Sequence, residues 1–299
     1  MVFRTPPLAT VHKLGLGPSR DYLRNGLVKL VQLLMEMDLS ERIDAQHYER
    51  NEQRTTYRNG YRKRRWKTSV GAVNVRIPKL RKGTYYPDFL HHCEETLLTW
   101  LSQAYVDTQT LQYDLNNSLA SLSLRDLQPY EQAQLFEALH DLAKDERHHP
   151  IQLSLRDLWL DMVDLGRTNG IRQIVLVAVG IDHYGAYHPL DFEITSDADD
   201  ERIWAAFLRR LMARGVRHID QVISGDHGGL RSLANEVFGA EWQYQRPYEL
   251  QDVLYYVSEN NHMSLTDAVS TLYITQPDFK ITYHLLDQAT PMNLLASVA

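Results

Sequence analysis

The sequence predicts an α/β protein, in which a mixed β-sheet flanked by helices follows a mainly helical domain that carries a basic β-hairpin. Three observations support this prediction. Apolar residues recur at helical spacing in several segments, they alternate with polar residues or form short runs in others, and Lys and Arg concentrate between residues 50 and 82. The 299 residues, 43% of them apolar, are enough for two domains.

The predicted domains meet near Pro150. A loose leader over residues 1–20, with three prolines, precedes a first domain at residues 21–149. A second domain follows at residues 150–257. The leader contains no apolar run long enough for a signal peptide or a membrane span, and the chain has one cysteine, Cys93. We therefore expect a cytoplasmic protein.

Periodicity predicts the elements of the first domain in order. Apolar residues at helical spacing indicate a helix over residues 27–37. Alternating residues on either side of a glycine indicate a β-hairpin over residues 66–77. Residues 94–143 read as helical with a break near Pro129, and the charged run over residues 144–149 is the predicted linker.

Charge is distributed unevenly along the chain. Residues 50–82 contain twelve Lys or Arg and a single acid, so this segment carries +11 and the other 266 residues carry −17 of the total of −6. A basic arm on an acidic body indicates a phosphate-binding surface, and an ordinary solvated face is the alternative. Tyr57, Tyr61 and Trp66 are interleaved with the cations and could stack beside a sugar-phosphate backbone. The candidate DNA-binding residues are Arg54, Arg58, Arg62, Lys63, Arg64, Arg65, Lys67, Arg76, Lys79, Arg81 and Lys82.

The second domain changes pattern after Pro150. Its predicted elements follow the order βββαβαβα, which is the order of the ribonuclease-H-like fold, a mixed sheet flanked by helices. The predicted strands are residues 158–163, 174–179, 190–194, 219–224 and 242–245, and the predicted helices are residues 203–212, 230–238 and 247–257.

Two acids stand out in this second domain. Asp161 lies in an apolar strand, where a carboxylate is costly unless it meets a cation or a partner; an exposed strand end is the alternative. Asp226 follows the fourth strand, among glycines that permit a tight turn. Carboxylates on neighbouring strands suit metal-assisted phosphoryl transfer, since hard cations prefer oxygen ligands. We therefore expect Asp161 and Asp226 to approach each other and to bind Mg²⁺ or Mn²⁺.

The stretch YERNEQRTTYRNGYRKRRWKTSVGAVNVRIPKLRKGTYYP, residues 48–87, resembles the amino-terminal hallmark of mutator-type bacterial insertion-sequence transposases. The second domain agrees in LWLD, VAVGID, IWAAFLRRLMARG and VISGDHGGL, so the resemblance covers roughly residues 27–257. It implies a ribonuclease-H-like fold and cutting and joining of DNA by an Asp, Asp, Glu triad with Mg²⁺. Asp161 is the first acid of that triad by resemblance.

Three departures from the family pattern bear on activity. The second acid is shifted by one position, because the chain reads Ser224, Gly225, Asp226, His227. The family's Cys and His correspond to Gln245 and Tyr248. The family's third acid is a Glu beyond a helical insertion, which residues 258–299 would begin, and no glutamate follows Glu259; Glu249 and Asp252 are the candidate substitutes.

Two functions follow from the resemblance. The first is a transposase that binds insertion-sequence ends and target DNA for metal-dependent cleavage and strand transfer, expected to be inactive in this truncated form. The second is a non-catalytic DNA-binding remnant that competes with an intact transposase. A general ribonuclease-H-like nuclease is a third reading, and it would need its own complete acid cluster. The resemblance also implies that double-stranded DNA is the partner and that the protein associates with the nucleoid. No membrane partner is expected. Both a monomer and a homo-oligomer are compatible with the resemblance.

Overall fold

A computed structural model describes residues 7–46, 49, 52–107, 111, 115, 119–122, 127–168 and 170–244 of the chain. Contacts divide the chain into two compact units. The hairpin unit is Pro18–Arg147, and the sheet unit combines Met1–Gly17 with His148–Ala299. The predicted helix over residues 247–257 lies outside the described residues.

A short helix, α1, occupies Pro7–Lys13 in the segment for which the sequence predicted a loose leader. Val11, within this helix, and Leu14 and Leu16, after it, are buried. Removing these three apolar side chains from water stabilises the segment, so this part of the leader is folded within the sheet unit.

Helix α2, Arg20–Arg42, opens the hairpin unit. Ser19 caps it, because the Ser19 hydroxyl accepts a hydrogen bond from the amide of Tyr22 at 3.0 Å. The helix predicted over residues 27–37 is confirmed, and it begins about two turns earlier than predicted, next to the cap. Its buried face includes Leu27, Leu30, Val31, Leu34 and Met37.

The predicted β-hairpin is confirmed. Strand β1, Arg58–Thr68, pairs antiparallel with β2, Gly71–Leu80. Val73, Val75 and Ile77 are buried in the same hydrophobic core as α2. The strands are longer than predicted because the first half of β1 is polar on both faces, so apolar alternation does not mark it.

Two further helices complete the hairpin unit. Helix α3 spans Glu94–Val106 and α4 spans Pro129–Arg147. Proline suits the first position of a helix, since it lacks the amide hydrogen that would have no intrahelical partner there, and α4 accordingly begins at the predicted break. It extends through residue 147 into the segment predicted as a linker. Charged residues in the last turns of a helix do not end it, and the buried Leu139 and Ala143 hold this part of α4 on the core.

A five-stranded mixed sheet forms the centre of the other unit, as the sequence predicted. Its order is β5-β4-β3-β6-β7; β3, β4 and β5 are antiparallel neighbours, whereas β6 runs parallel to β3 and β7 runs parallel to β6. The strands are β3 Leu155–Thr168, β4 Ile171–Asp182, β5 Tyr187–Thr195, β6 Gln221–Ser224 and β7 Glu241–Tyr244.

Helix α5, Glu201–Ala213, packs on one face of this sheet. Trp204 and Leu208 of α5 share a hydrophobic cluster with Leu158 and Leu160 of β3. The helix predicted over residues 230–238 is instead one α-helical turn, α6 at Leu230–Leu233, followed by a π-helical turn at Ala234–Phe238. Among the described residues, no helix is both long and apolar enough to cross a bilayer.

A buried ion network joins α5 to strand β5. The carboxylate of Asp191, 1% exposed, lies 3.0 Å from Nε of Arg210 and 2.9 Å from Nη1 of Arg214. Arg210 also contacts Glu193 and donates a hydrogen bond to the carbonyl of Phe192. Burial of Asp191 is tolerated because two guanidinium groups neutralise it.

Candidate functional site

The exposed side of the hairpin carries four cations. Lys63, Arg65 and Lys67 of β1 alternate with inward residues, and Arg76 of β2 lies directly opposite Lys63. We call these four residues the outer face of the hairpin. Like charges opposite each other across two strands are destabilising, so this arrangement suits a surface that an anion covers.

Other predicted DNA-binding residues are engaged within the protein. Arg58 is 12% exposed in its side chain and lies 3.6 Å from the carboxylate of Glu36; burial lowers its pKa, against the raising effect of that carboxylate. Arg62 donates to the carbonyl of Tyr85 at 3.0 Å, and Arg64 donates to the hydroxyl of Tyr86. Arg54 donates to the carbonyl of Glu49 at 2.9 Å.

The aromatic residues of the basic segment have different environments. The ring of Tyr61 lies 4.6 Å from the Arg76 guanidinium and its hydroxyl donates to Glu36, whereas Trp66 packs against the hydrophobic core. Tyr57 is 56% exposed, with the guanidinium of Arg81 at 5.7 Å. Lys79, Arg81 and Lys82 are exposed at and beyond the end of β2.

A groove of about 780 Å³ lies beside the outer face, between α2, the hairpin and α4. Arg76 lines one wall, and the acids Glu36, Glu137 and Asp141 also line it. Carboxylates repel phosphate, so within the outer face Lys63, Arg65 and Lys67, which do not line the groove, are the stronger candidates for contact with an anion.

In the sheet unit, Asp161 lies in the middle of β3, and Asp226 lies in the loop that follows β6, the parallel neighbour of β3. Asp161 is half-buried in β3 and its Oδ1 accepts the amide of Met162 at 2.8 Å. Asp226 is exposed, two residues beyond the end of β6. The pairing of β3 with β6 ends at Leu160 and Ser224, one residue before Asp161 in β3 and two residues before Asp226 in the loop. The two acids are therefore offset by one residue.

Hydrogen bonds and glycines shape the loop after β6. The buried hydroxyl of Ser224 accepts from Nε1 of Trp242 at 2.9 Å and donates to the carbonyl of Gly225 at 2.9 Å. Gly228 has φ +46°, and a Cβ there would lie 2.3 Å from Cδ1 of Trp204. The loop that carries Asp226 therefore requires glycine at position 228.

The side chain of His227 folds back over Gly225. A Cβ at position 225 would lie 2.5 Å from Nε2 of His227 and 2.9 Å from its Cδ2. The imidazole therefore occupies the space into which a side chain at position 225 would project. Sequence reasoning identified the one-residue shift of the acid but missed this consequence, which depends on the path of the loop.

The carboxylates do not form the cluster that two-metal chemistry requires. Within the part of the chain that the structure describes, no group of three or more His, Cys, Asp or Glu residues could hold a metal ion. The described residues therefore do not fit a pair of carboxylate-bound cations. Glu249, Asp252, Gln245 and Tyr248, named from the sequence, lie outside the described residues.

The sequence alone could have shown which cations of the hairpin face inward and which face outward. Residues two apart in a strand share a face. Trp66 predicts which face of β1 is inward, and Arg62 and Arg64 lie on its side of the strand. Alternation alone would therefore have separated these arginines from Lys63, Arg65 and Lys67.

A family model described as "Transposase, Mutator family" matches residues 10–290. The chain is 29% identical over 244 residues to the transposase for insertion sequence element IS1081 of Mycobacterium tuberculosis, a match that covers 77% of this chain and 57% of the relative. It is 25% identical over 264 residues to the transposase for insertion sequence element IS256 in transposon Tn4001 of Staphylococcus aureus, covering 85% of this chain and 66% of the relative. The chain thus spans less than two thirds of the length of these curated relatives.

Among solved structures, one chain of the complex between the simian T-cell lymphotropic virus intasome and the PP2A regulatory subunit B56 gamma aligns over 51% of this chain and 60% of that chain. The identity is 12% and the TM-score is 0.26, which is too low for a comparison of folds.

Proposed function

The chain belongs to the Mutator family of transposases, and we propose that it binds duplex DNA, the ends and target of an insertion sequence, through the outer face of the hairpin. The observation that carries this proposal is the opposition of Lys63 and Arg76 across the two strands, within a row of exposed cations. Such a pair costs stability in the free protein and is neutralised when a phosphate lies over it.

We expect binding to duplex DNA to weaken steeply with salt. The outer face supplies four cations, and the exposed residues at the end of β2 extend it, so we expect about five phosphate contacts. The logarithm of the affinity should then fall with the logarithm of the salt concentration at a slope of about −4.5. Fluorescence anisotropy with a labelled duplex, between 50 and 200 mM salt, measures this slope. An affinity that does not change with salt would exclude the proposal.

For the sheet unit we propose a ribonuclease-H-like fold. Three antiparallel strands followed by a parallel strand next to β3, with α5 packed on one face, support this assignment. In a transposase with this fold, acids of the sheet would hold a divalent cation, which would supply charge stabilisation at the reacting phosphate. Asp161 and Asp226 are the acids that the sequence assigns to this chemistry.

We expect that the chain by itself gives no strand-transfer product with Mg²⁺. Positioning and charge stabilisation supply most of the rate of phosphoryl transfer. Asp226 lies one residue further beyond the paired part of β3 and β6 than Asp161 does, so the two acids are not level with each other. The measurement is a strand-transfer assay on cognate insertion-sequence ends, comparing the native chain with Asp161→Ala.

Product that is abundant with the native chain and lost with Asp161→Ala would contradict this expectation, because it would show a complete catalytic site. DNA binding without product would support the second function, a DNA-binding form that competes with an intact transposase. Adding the chain to a reaction of an intact relative should then lower the yield of product on shared ends.

A further inference from the structure

Arg76, one of the four cations of the outer face, lies over an aromatic ring. Its guanidinium carbon is 4.6 Å from the centre of the Tyr61 ring. Tyr61 pairs with Pro78 and Lys63 pairs with Arg76, so Tyr61 and Arg76 are diagonal neighbours across the two strands, within reach of long side chains. The face of the ring attracts the guanidinium, and this attraction favours one position of the Arg76 head group before any ligand binds.

The ring beneath Arg76 is itself anchored. The hydroxyl of Tyr61 donates a hydrogen bond to Oε1 of Glu36 in α2 at 2.9 Å, and Nε2 of Gln32 donates to the same oxygen at 3.3 Å. A side chain that is positioned in advance loses less conformational entropy when it binds. Arg76 is therefore suited to a ligand whose acceptor atoms have a fixed arrangement.

The groove beside Arg76 is a poor place for a phosphate. Three acids line it against two cations, namely Glu36, Glu137 and Asp141 against Lys29 and Arg76. Carboxylates repel a phosphate, whereas the edge of a base carries no net charge. The surroundings of Arg76 therefore favour a neutral acceptor over an anion.

Strand β2 presents two side chains of the types that read base edges. Asn74 and Arg76 are exposed, lie two residues apart on one face of β2, and line the groove. Arginine that donates to O6 and N7 of guanine is the commonest specific contact between proteins and DNA, and asparagine contacts adenine in a similar way. The two-stranded sheet of β1 and β2 is the kind of ribbon that the major groove admits.

We propose that Arg76 reads a guanine in the major groove by donating hydrogen bonds to its O6 and N7, while Lys63, Arg65 and Lys67 contact the flanking phosphates. The inference rests on the proposed binding of duplex DNA through the outer face. It adds a base preference to that function, because phosphate contacts position a protein on the duplex and carry no sequence information.

The experiment starts with selection of duplexes from a random pool by the full chain, followed by anisotropy titrations with the enriched duplex. We expect a guanine at a fixed position in the enriched sequences. Replacing that guanine with 7-deazaguanine removes the N7 acceptor and should weaken binding about tenfold. Arg76→Lys keeps the charge but lacks the planar pair of donors, so it should bind both duplexes equally, with the salt slope of the native chain.

Two further variants test the geometry. Arg65→Lys makes the same substitution at the other arginine of the outer face, which does not line the groove, and any change in affinity should be the same for both duplexes. Tyr61→Leu removes the ring beneath Arg76 and should lower the preference for guanine roughly threefold. Circular dichroism of each variant excludes loss of structure as the cause.

The proposal is overturned if no guanine is enriched, if the 7-deazaguanine duplex binds as tightly as the guanine duplex, or if Arg76→Lys keeps the preference. It is also overturned if Arg65→Lys loses the preference as fully as Arg76→Lys does. Salt-dependent binding without a base preference contradicts this inference and leaves the proposed function intact, whereas absence of duplex binding overturns both.

Discussion

Replacing Lys63, Arg65 and Lys67 together with glutamine is expected to lower affinity for duplex DNA by roughly 100-fold at about 0.15 M salt. Each phosphate contact contributes about 0.9 to the slope of log affinity against log salt concentration. Loss of three contacts should therefore change this slope from about −4.5 to about −1.8. The three side chains are exposed, and their removal should leave the free energy of unfolding nearly unchanged. Anisotropy titrations at several salt concentrations measure both quantities.

The matched control replaces three exposed arginines of the sheet unit, Arg202, Arg209 and Arg217, with glutamine. This variant has the same net charge as the hairpin variant. An equal loss of affinity in both would mean that net charge alone attracts DNA and that the outer face has no special part. Urea unfolding of each variant excludes loss of structure as the cause.

A substitution in the buried ion network of Asp191, Arg210 and Arg214 is expected to lower the free energy of unfolding. Arg210→Met keeps most of the apolar stem but removes one of the two guanidinium groups that face Asp191. Breaking a buried ion pair costs about 3–5 kcal/mol, and we expect about 3 kcal/mol because Arg214 still faces the carboxylate. Urea denaturation of the full chain, followed by tryptophan fluorescence, measures the change in the free energy of unfolding.

The neighbouring Arg209 provides the control. Its side chain is 58% exposed and pairs with Glu236, itself 62% exposed, at 3.1 Å. Surface ion pairs of this kind contribute about 0–1 kcal/mol, so Arg209→Met should be nearly neutral. Equal destabilisation by the two substitutions would show that Asp191 does not depend on Arg210 for its neutralisation.

The sequence predicted elements best where apolar residues show a clear period. Alternation in β2 and helical spacing in α2 and α5 predicted these elements. The caps Ser19 and Asp200 begin the two helices before their apolar stripes. The helix expected at residues 230–238 became an α-helical turn and a π-helical turn, since apolar spacing does not distinguish 3.6 from wider windings over so few residues.

The sequence by itself determined the family of the chain, its mixed sheet and the position of its basic hairpin, because these depend on residue order and local periodicity. The tertiary structure decided which partners engage Arg58, Arg62 and Arg64, and that the pairing of β3 with β6 ends one residue before Asp161. It also decided that the imidazole of His227 fills the place of the missing side chain. These facts depend on strand register and on the path of a glycine-containing loop, which bring together groups that no local pattern relates.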